Sequence, residues 1–268
     1  MYAFDYIKAT SLDQAAKLLS EKEEAKLLAG GHTLLPTMKQ RLAAPGVLVD
    51  LSGVSDLRGI AREGDAVVIG AMTPHGEVAT SAVVRAAIPS LAELASVIGD
   101  PAVRHRGTIG GSVANNDPAA DYPAACLALG ATIVTNKRSV AADDFFTGLF
   151  ETALEDGEIV AKVSFPIPDK MGYAKFRNPA SRYALVGVCV AQKGSTARVA
   201  VTGAGSNGVF RWKEAEAAFA TFDPASLEKL TMSPAGINGD IHADAEYRAH
   251  LIGVMARRAT AKALGKRL

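Results

Sequence analysis

AKLLAGGHTLLP, residues 25–36, places two adjacent glycines directly after a short apolar run. Such a run is typical of a buried strand, and apolar residues at helical spacing follow from Leu34. A second apolar run, Val47 to Val49, comes next, so the segment predicts a strand, a glycine loop, a short helix and another strand. This is a compact βαβ unit. Glycine allows its loop to bring free backbone N–H groups close to an anion.

A second pair of glycines lies in Thr108-Ile109-Gly110-Gly111-Ser112. Polar residues accompany both pairs: His32 and Thr33 follow the first, and Asn115 and Asn116 lie beyond the second. Their side chains suit phosphate oxygens and sugar hydroxyls. No Lys-Ser or Lys-Thr follows either pair, which excludes a Walker A loop and argues against nucleotide hydrolysis. We therefore expect the two segments to hold one diphosphate between them.

Composition excludes several classes of protein. The 268 residues carry a net charge of +1, which lacks the basic field of a nucleic-acid binder. The apolar runs are far shorter than the ~20 residues that span a bilayer, and no signal-peptide pattern begins the chain, so we expect a cytoplasmic protein. Cys126 and Cys189 are too few for a disulfide framework, a zinc quartet or an iron–sulfur cluster. The five scattered histidines predict neither a metal site nor a catalytic residue in this chain.

Hydrophobic periodicity divides the chain into three parts, residues 1–51, 52–170 and 171–268. In the first part, Ser11 and Gln14 form a capping-box pattern, which predicts that a helix begins there. The other two parts mix strands and helices without a regular βα alternation, so the predicted class is α+β. The predicted strands of these two parts are 66–69, 132–135, 183–191 and 197–202, and the predicted helical stretches are 82–98, 123–129, 213–222 and 243–263.

A third glycine-rich stretch, Gly203-Ala204-Gly205-Ser206-Asn207-Gly208, matches the dinucleotide fingerprint and has Asp223 at a suitable distance. Taken alone it indicates an NAD-dependent reductase. A Rossmann unit needs a second strand ending at the acidic residue, however, and residues 215–222 have a helical pattern up to Asp223. We retain this nucleotide site as a remote alternative and expect a turn between a strand and a helix.

The first two glycine segments, with Arg106-Gly107 ahead of the second, resemble the FAD-binding medium subunit of the molybdenum hydroxylases, the family of xanthine and carbon monoxide dehydrogenases. The likeness covers nearly the whole chain and is greatest to the carbon monoxide dehydrogenase type. It extends through Val49-Asp50-Leu51, Ala114-Asn115-Asn116-Asp117-Pro118, Asp144-Phe145-Phe146, Gly157-Glu158-Ile159, Glu246-Tyr247-Arg248 and Arg257-Arg258. The resemblance implies a vanillyl-alcohol-oxidase-like (PCMH-type) FAD-binding domain of two subdomains, residues 1–51 and 52–170, followed by a small α+β C-terminal domain, residues 171–268.

The resemblance also implies roles for single residues. The two glycine segments would wrap the FAD diphosphate, and Asp121 would accept hydrogen bonds from ribityl or ribose hydroxyls. Ile159 would lie against the isoalloxazine ring, Lys175 near its pyrimidine or phosphate side, and Tyr183 would approach the ring and tune access. The complete set of cofactor-binding candidates is Ala29, Gly30, Gly31, His32, Thr33, Leu34, Thr108, Ile109, Gly110, Gly111, Ser112, Asn115, Asp121, Ile159, Lys175 and Tyr183.

Each ring-side residue also has a simpler interpretation. Asp121 is a good N-cap for a helix that begins near Tyr122, and Ile159 begins an apolar strand. Lys175 is a solvated charge in this interpretation, and Tyr183 is a core residue. Two residues depart from the family pattern: Thr33 stands where serine is usual, and Ser112 where asparagine is common. Losing one hydrogen bond costs on the order of 1 kcal/mol, too little to abolish binding of a cofactor with many contacts.

The function that the resemblance implies is that of an electron relay. FAD in this chain receives electrons from a small subunit with [2Fe–2S] clusters and passes them to an external acceptor, which is quinone, NAD or oxygen. A large subunit with molybdopterin cytosine dinucleotide oxidises the substrate: carbon monoxide, or alternatively an aldehyde, nicotinate or xanthine. The implied assembly is a dimer of heterotrimers in the cytoplasm, which associates at most peripherally with the inner membrane. A scaffold that keeps the fold without a cofactor is the remaining alternative.

Overall fold

The first sheet of the computed structural model, which describes residues 1–266, is built from three parallel strands. In chain order its elements are β1 (Asp5–Lys8), α1 (Leu12–Glu21), β2 (Ala25–Leu28), α2 (Leu34–Lys39) and β3 (Val47–Asp50). β3 lies in the centre and pairs with both β1 and β2. Ser11 caps α1 by accepting a hydrogen bond from the Gln14 amide at 3.1 Å, as its pattern predicts. The predicted βαβ unit is therefore present.

The second sheet is antiparallel and has five strands. The strands of residues 60–166 are β4 (Ile60–Glu63), β5 (Ala66–Gly70), β6 (Thr132–Thr135), β7 (Ser139–Ala141), β8 (Phe146–Gly148), β9 (Glu151–Thr152) and β10 (Val160–Pro166). The sheet order is β4-β5-β10-β6-β7, and β8 and β9 form a separate hairpin. β10 lies in the centre of this sheet, although a long excursion of the chain separates it from its neighbour β5. It begins directly after the loop that contains Gly157.

Seven short helices fill that excursion. They are α3 (His75–Thr80), α4 (Ala82–Ala87), α5 (Pro89–Ser96), α6 (Pro101–Arg106), α7 (Ile109–Asn115), α8 (Tyr122–Leu129) and α9 (Ala142–Phe145). Pro89 separates α4 from α5, because proline is favoured in the first helical turn and breaks a helix that precedes it. Every residue of α8 is buried, which places this helix at the centre of the molecule.

The third sheet, β11 (Lys170–Arg177), β12 (Ala184–Lys193), β13 (Thr196–Thr202) and β14 (Phe210–Arg211), is an antiparallel meander. One face packs on α11 (Ala245–Ala263); α10 (Lys213–Ala218) covers β13. The opposite face contributes Tyr173, Cys189 and Ala200 to the core that contains α8. Helix α8 is therefore enclosed between the third sheet and the rest of the molecule.

The predicted fold class, a mixed α+β fold, is confirmed, and three local predictions need correction. Gly110 and Gly111 lie inside α7 and do not form a loop. The helix predicted over 213–222 ends at Ala218. Residues 203–208 form a turn as expected, but it joins β13 to β14 in an antiparallel hairpin instead of leading into a helix, which excludes the strand-to-helix crossover of a Rossmann unit. The boundaries of the three predicted domains remain a prediction.

Within residues 1–266, we find no helix that combines the length and the apolar character needed to cross a membrane.

Candidate functional site

A cleft of about 790 Å³ runs between the first sheet, α7 and the β11–β12 hairpin. All of the predicted cofactor-binding residues line it except Ile109, whose side chain is fully buried below the cleft surface. The fold therefore brings together residues that are separated by up to about 150 positions in the chain, from Ala29 to Tyr183. Its size is within the usual range of ligand sites, which is about 300–1,000 Å³.

The first glycine segment supplies free donors. Gly31 has φ +73°, a conformation that glycine adopts without steric cost, and this turn leads into α2. Across residues 1–266, no protein group accepts a hydrogen bond from the backbone amides of residues 30–34. The His32 ring bonds back to the Gly30 carbonyl at 3.1 Å. Five successive amides at a turn before a helix form a concavity that suits an anion.

The two glycine segments touch each other through their backbones. A Cβ atom added at Gly30 would lie 2.2 Å from the Arg106 carbonyl oxygen and 2.8 Å from the Gly107 Cα. One added at Gly111 would lie 3.7 Å from the Ala29 Cβ. Real Cβ atoms essentially never approach to 2.2 Å, so glycine is required at position 30 to close this side of the cleft.

In the second glycine segment the amides of residues 109–112 are all engaged within the protein, which corrects the sequence-based expectation. The Ile109 amide donates to the Thr73 carbonyl at 3.1 Å, and the Gly110 amide donates to the Ala71 carbonyl at 2.8 Å. The Gly111 amide is held by the Thr108 hydroxyl at 3.2 Å, an N-cap bond of α7. What this segment contributes is a side-chain-free surface beside the first segment.

Asn115 and Asn116 differ in their positions. Asn115 lines the cleft. Asn116 is buried at φ +42°, and its amide nitrogen donates to the Gly148 and Glu151 carbonyls at 2.9 and 2.8 Å. Asn116 therefore anchors the β8–β9 hairpin, and our expectation that it offers a donor to a ligand is wrong.

Asp121 and Lys175 form a buried ion pair at the edge of the cleft. Their side chains are 4% and 5% exposed, and the Lys175 Nζ lies 2.9 Å from the carboxylate. Burial raises the pKa of Asp121, and the Lys175 ammonium and the Tyr173 hydroxyl act in the opposite direction. The Asp121 side chain makes no helix-cap bond, and Lys175 is not solvated, so both simpler interpretations are wrong.

Tyr183 lies at the rim of the cleft on the β11–β12 turn. It is 48% exposed, which rules out the interpretation as a core residue. Burial of part of its ring raises the pKa of its hydroxyl, and the nearby carboxylates of Asp117 and Asp121 add to this. Arg182 beside it also lines the cleft and donates to the Gly99 carbonyl at 3.4 Å. The rim thus combines an aromatic ring with a cation.

Ile159 lines the cleft just before β10, and a buried carboxylate fixes the loop ahead of it. The Glu158 carboxylate accepts hydrogen bonds from the Thr135 hydroxyl at 2.7 Å, the Glu155 amide at 2.8 Å and the Arg138 guanidinium at 3.0 Å. Hydrogen bonding by Arg138 is the main cause that lowers the pKa of Glu158 to about 2. This carboxylate therefore stays ionised at neutral pH.

We expect Glu158→Gln to lower stability at pH 7 and to lose that effect in acid. A lowered pKa stabilises the folded state fully above the ordinary value of 4.5, and the contribution disappears as the pH falls towards 2. Urea unfolding at pH 7, 5 and 3 measures the difference from the wild type. Glu155→Gln is the matched control, since Glu155 contacts Arg138 at 3.3 Å but is 61% exposed. A difference that is the same at all three pH values contradicts this assignment.

Other residues that line the cleft were not predicted from the sequence, and His75 and Lys26 are two of the polar ones. His75 is buried behind Gly107, and burial lowers the pKa of its ring to about 4, with His32 and Arg104 as smaller causes. No signal in the sequence distinguishes His75 from the other scattered histidines. Lys26 on β2 also lines the cleft. Nothing in the sequence distinguishes it from any other exposed lysine.

The donor set fits a long ligand with a diphosphate. Free amides of residues 30–34 suit the anion, the apolar walls from Leu27, Met72 and Ile159 suit flat rings, and Asp121 offers an acceptor for hydroxyls. Glycine at position 30 keeps the cradle from being filled by a side chain. Fold and cleft together thus define a protein that can hold a dinucleotide cofactor.

Residues 2–168 match the family described as the FAD binding domain in molybdopterin dehydrogenase, and the chain belongs to this family. It is the FAD-binding medium subunit of a molybdenum hydroxylase, and therefore an oxidoreductase subunit. The matched region ends before Lys175 and Tyr183, so the cleft extends beyond it. The family membership that the glycine segments indicate is confirmed.

Relatives match over nearly their whole length. The carbon monoxide dehydrogenase medium chain of Hydrogenophaga pseudoflava is 36% identical, covering 96% of this chain and 95% of its own. The nicotine 6-hydroxylase medium subunit of Paenarthrobacter nicotinovorans is 34% identical, with 97% of each chain covered. A solved structure of the Hydrogenophaga pseudoflava enzyme, lacking the Mo-pyranopterin moiety of its molybdenum cofactor, superposes with a TM-score of 0.89 over 100% of this chain and 99% of its own, at 36% identity.

Proposed function

We propose that the cleft holds FAD with its diphosphate on the amides of residues 30–34, and that the chain relays electrons within a complex of three kinds of subunit. The observation that carries this proposal is the row of five unbonded amides at residues 30–34, in a segment that lines the same cleft as Gly110 and Gly111. When bound, FAD supplies the ability to accept electrons singly and release them in pairs. The polypeptide provides position, polarity and solvent exclusion.

In this proposal, the residues that line the cleft contact different parts of the cofactor. Thr108, Ser112 and Asn115 provide side-chain donors beside the diphosphate. Asp121 accepts from cofactor hydroxyls while Lys175 neutralises its charge, so the cleft carries no unpaired buried carboxylate at this point. Ile159 gives the ring an apolar wall, and Tyr183 at the rim limits access of water and acceptors.

The partners in this proposal are a small subunit with [2Fe–2S] clusters and a large subunit with molybdopterin cytosine dinucleotide, assembled as a dimer of heterotrimers. We assign carbon monoxide as the substrate, oxidised in the large subunit. Support comes from two medium chains of carbon monoxide dehydrogenase that are 36% and 37% identical over 96% and 97% of this chain. The nicotine 6-hydroxylase medium subunit, at 34%, favours an N-heteroaromatic substrate as the second candidate.

The absorption spectrum of the purified full chain tests the cofactor assignment. Bands near ~370 and ~450 nm, with a chromophore that is released by heat and elutes with FAD and not with FMN, support it. A colourless chain that takes up no added FAD, alone or in its complex, counts against it. Bleaching of the flavin in the purified complex by carbon monoxide, but not by nicotine or an aldehyde, distinguishes the substrates.

A further inference from the structure

Tyr173 is a buried residue that neither the family pattern nor the cleft lining singles out. It lies on β11 two positions before Lys175, so both side chains point to the same face of the strand. Its side chain is 2% exposed, and its hydroxyl donates a hydrogen bond to the Asp121 carboxylate. Asp121 therefore receives two donors from one strand, the Tyr173 hydroxyl and the Lys175 ammonium.

The neighbouring strand leaves space for this hydroxyl. Gly187 on β12 pairs with Lys175, and a Cβ atom added there would lie 2.5 Å from the Tyr173 hydroxyl oxygen and 2.8 Å from the Thr202 Cγ2. Neighbouring positions of β12 carry valine or larger side chains at 185, 186 and 188. A glycine in the middle of a buried strand weakens the strand. The Tyr173 hydroxyl, which occupies the space that a side chain at position 187 would need, explains why glycine stands there.

The charges around Asp121 show why a second donor matters. Lys175 is the single cation in contact with it among residues 1–266, while Tyr122 and Tyr183 stand nearby as neutral phenols and Asp117 faces Tyr183. Burial favours the protonated acid, and both donors from β11 favour the carboxylate. Removing either donor weakens the ionised form.

We propose that Tyr173 is a positioning residue: from the space that Gly187 leaves, its hydroxyl holds the Asp121 carboxylate in the orientation that faces the hydroxyl groups of FAD. This inference rests on the proposed function. Without the Tyr173 hydroxyl, Asp121 retains Lys175 as its only donor from β11 and turns towards it. The carboxylate is then less fixed in the orientation that faces the cofactor, although Tyr173 itself does not line the cleft.

The test is Tyr173→Phe in the full chain, titrated with FAD by flavin fluorescence at pH 8, 7 and 6. We expect FAD affinity to fall about tenfold, equivalent to about 1.4 kcal/mol, because the Asp121 carboxylate loses one of its two donors from β11 and with it part of its fixed orientation. The loss increases towards pH 6, since protonation of Asp121 begins at a higher pH in the variant. Tyr6→Phe is the matched control, because Tyr6 also donates to an aspartate, Asp50, outside the cleft.

A double-mutant cycle decides whether Tyr173 acts through Asp121. In an Asp121→Asn background, Tyr173→Phe should change FAD affinity less than about twofold. Effects that multiply, or a variant with wild-type affinity at every pH, overturn the proposal. Gly187→Ala, which places a methyl group against the hydroxyl, provides a second route to the same shift in pH profile. Failure of the wild-type chain to bind FAD contradicts the proposed function, whereas equal binding by wild type and Tyr173→Phe contradicts only this inference.

Discussion

Gly111→Asp should reduce FAD affinity by about 100-fold or more while the chain stays folded. The new carboxylate would face the place that we assign to the diphosphate, and juxtaposed like charges cost several kcal/mol, of which each 1.4 kcal/mol is a factor of ten. The fold tolerates the change because a Cβ atom at Gly111 meets the rotatable Thr108 hydroxyl at 3.0 Å and the Ala29 Cβ at 3.7 Å. FAD titration and thermal unfolding of the same preparation measure both quantities.

The neighbouring glycine is unsuitable for this experiment. A Cβ atom at Gly110 would lie 2.4 Å from the Ala71 Cβ and 2.7 Å from its carbonyl oxygen, so any side chain there disrupts packing. Gly111→Asn separates charge from size and should bind FAD more tightly than Gly111→Asp. Gly239→Asp is the control for an added carboxylate, since it lies outside the cleft with its nearest neighbour at 3.5 Å. Wild-type affinity in Gly111→Asp would place the diphosphate elsewhere.

Lys175→Met should lower the free energy of unfolding by about 3 kcal/mol, because removing one partner of a buried ion pair typically costs 3–5 kcal/mol. The loss depends on pH in a defined direction. Without the ammonium, the pKa of the buried Asp121 rises further above its unfolded value, so the folded state favours the protonated acid. Stability of the variant therefore falls as the pH rises, and its deficit is larger at pH 8 than at pH 5. Urea unfolding at the two pH values measures it.

Two controls accompany this variant. Lys175→Met combined with Asp121→Asn removes the unpaired charge and should recover part of the loss. Lys193→Met removes an exposed lysine from an ion pair with Asp65 on the surface and should change stability little. A deficit in Lys175→Met that is independent of pH, or that the second substitution leaves unchanged, contradicts the assigned pair.

The parts of the fold that depend on short-range patterns were predictable. The strands at 25–28 and 132–135 have their predicted bounds, and Ser11 caps its helix, because these features depend on neighbours within a few residues. The two adjacent glycines predict a loop where the structure has helix α7, because glycine is a poor helix former. Thr108 is a typical N-cap residue and marks the start of this helix. Tertiary packing against Ala71 overrides the propensity.

The candidate site could be predicted only where a motif marks it. Glycine pairs are visible in any single sequence, and a family resemblance extends them to Asp121, Lys175 and Tyr183. Tyr173 has no such mark, because its role arises from a contact across 52 residues with Asp121. The engaged amides of Ile109 and Gly110 were equally hidden, since their acceptors lie on the segment that follows β5. Contacts between residues so far apart in the sequence depend on how the sheets pack against each other.

Hydrogen bonds connect the third sheet and α11 to the segment that carries Asp121. The Thr202 hydroxyl donates to the Pro118 and Ala120 carbonyls at 3.0 and 2.7 Å, and Arg248 of α11 donates to the Gly203 carbonyl at 2.9 Å. We therefore expect local opening of α11 to loosen the segment that carries Asp121. We expect a substitution on α11 to change the residence time of the cofactor that we propose for the cleft, although α11 does not line it.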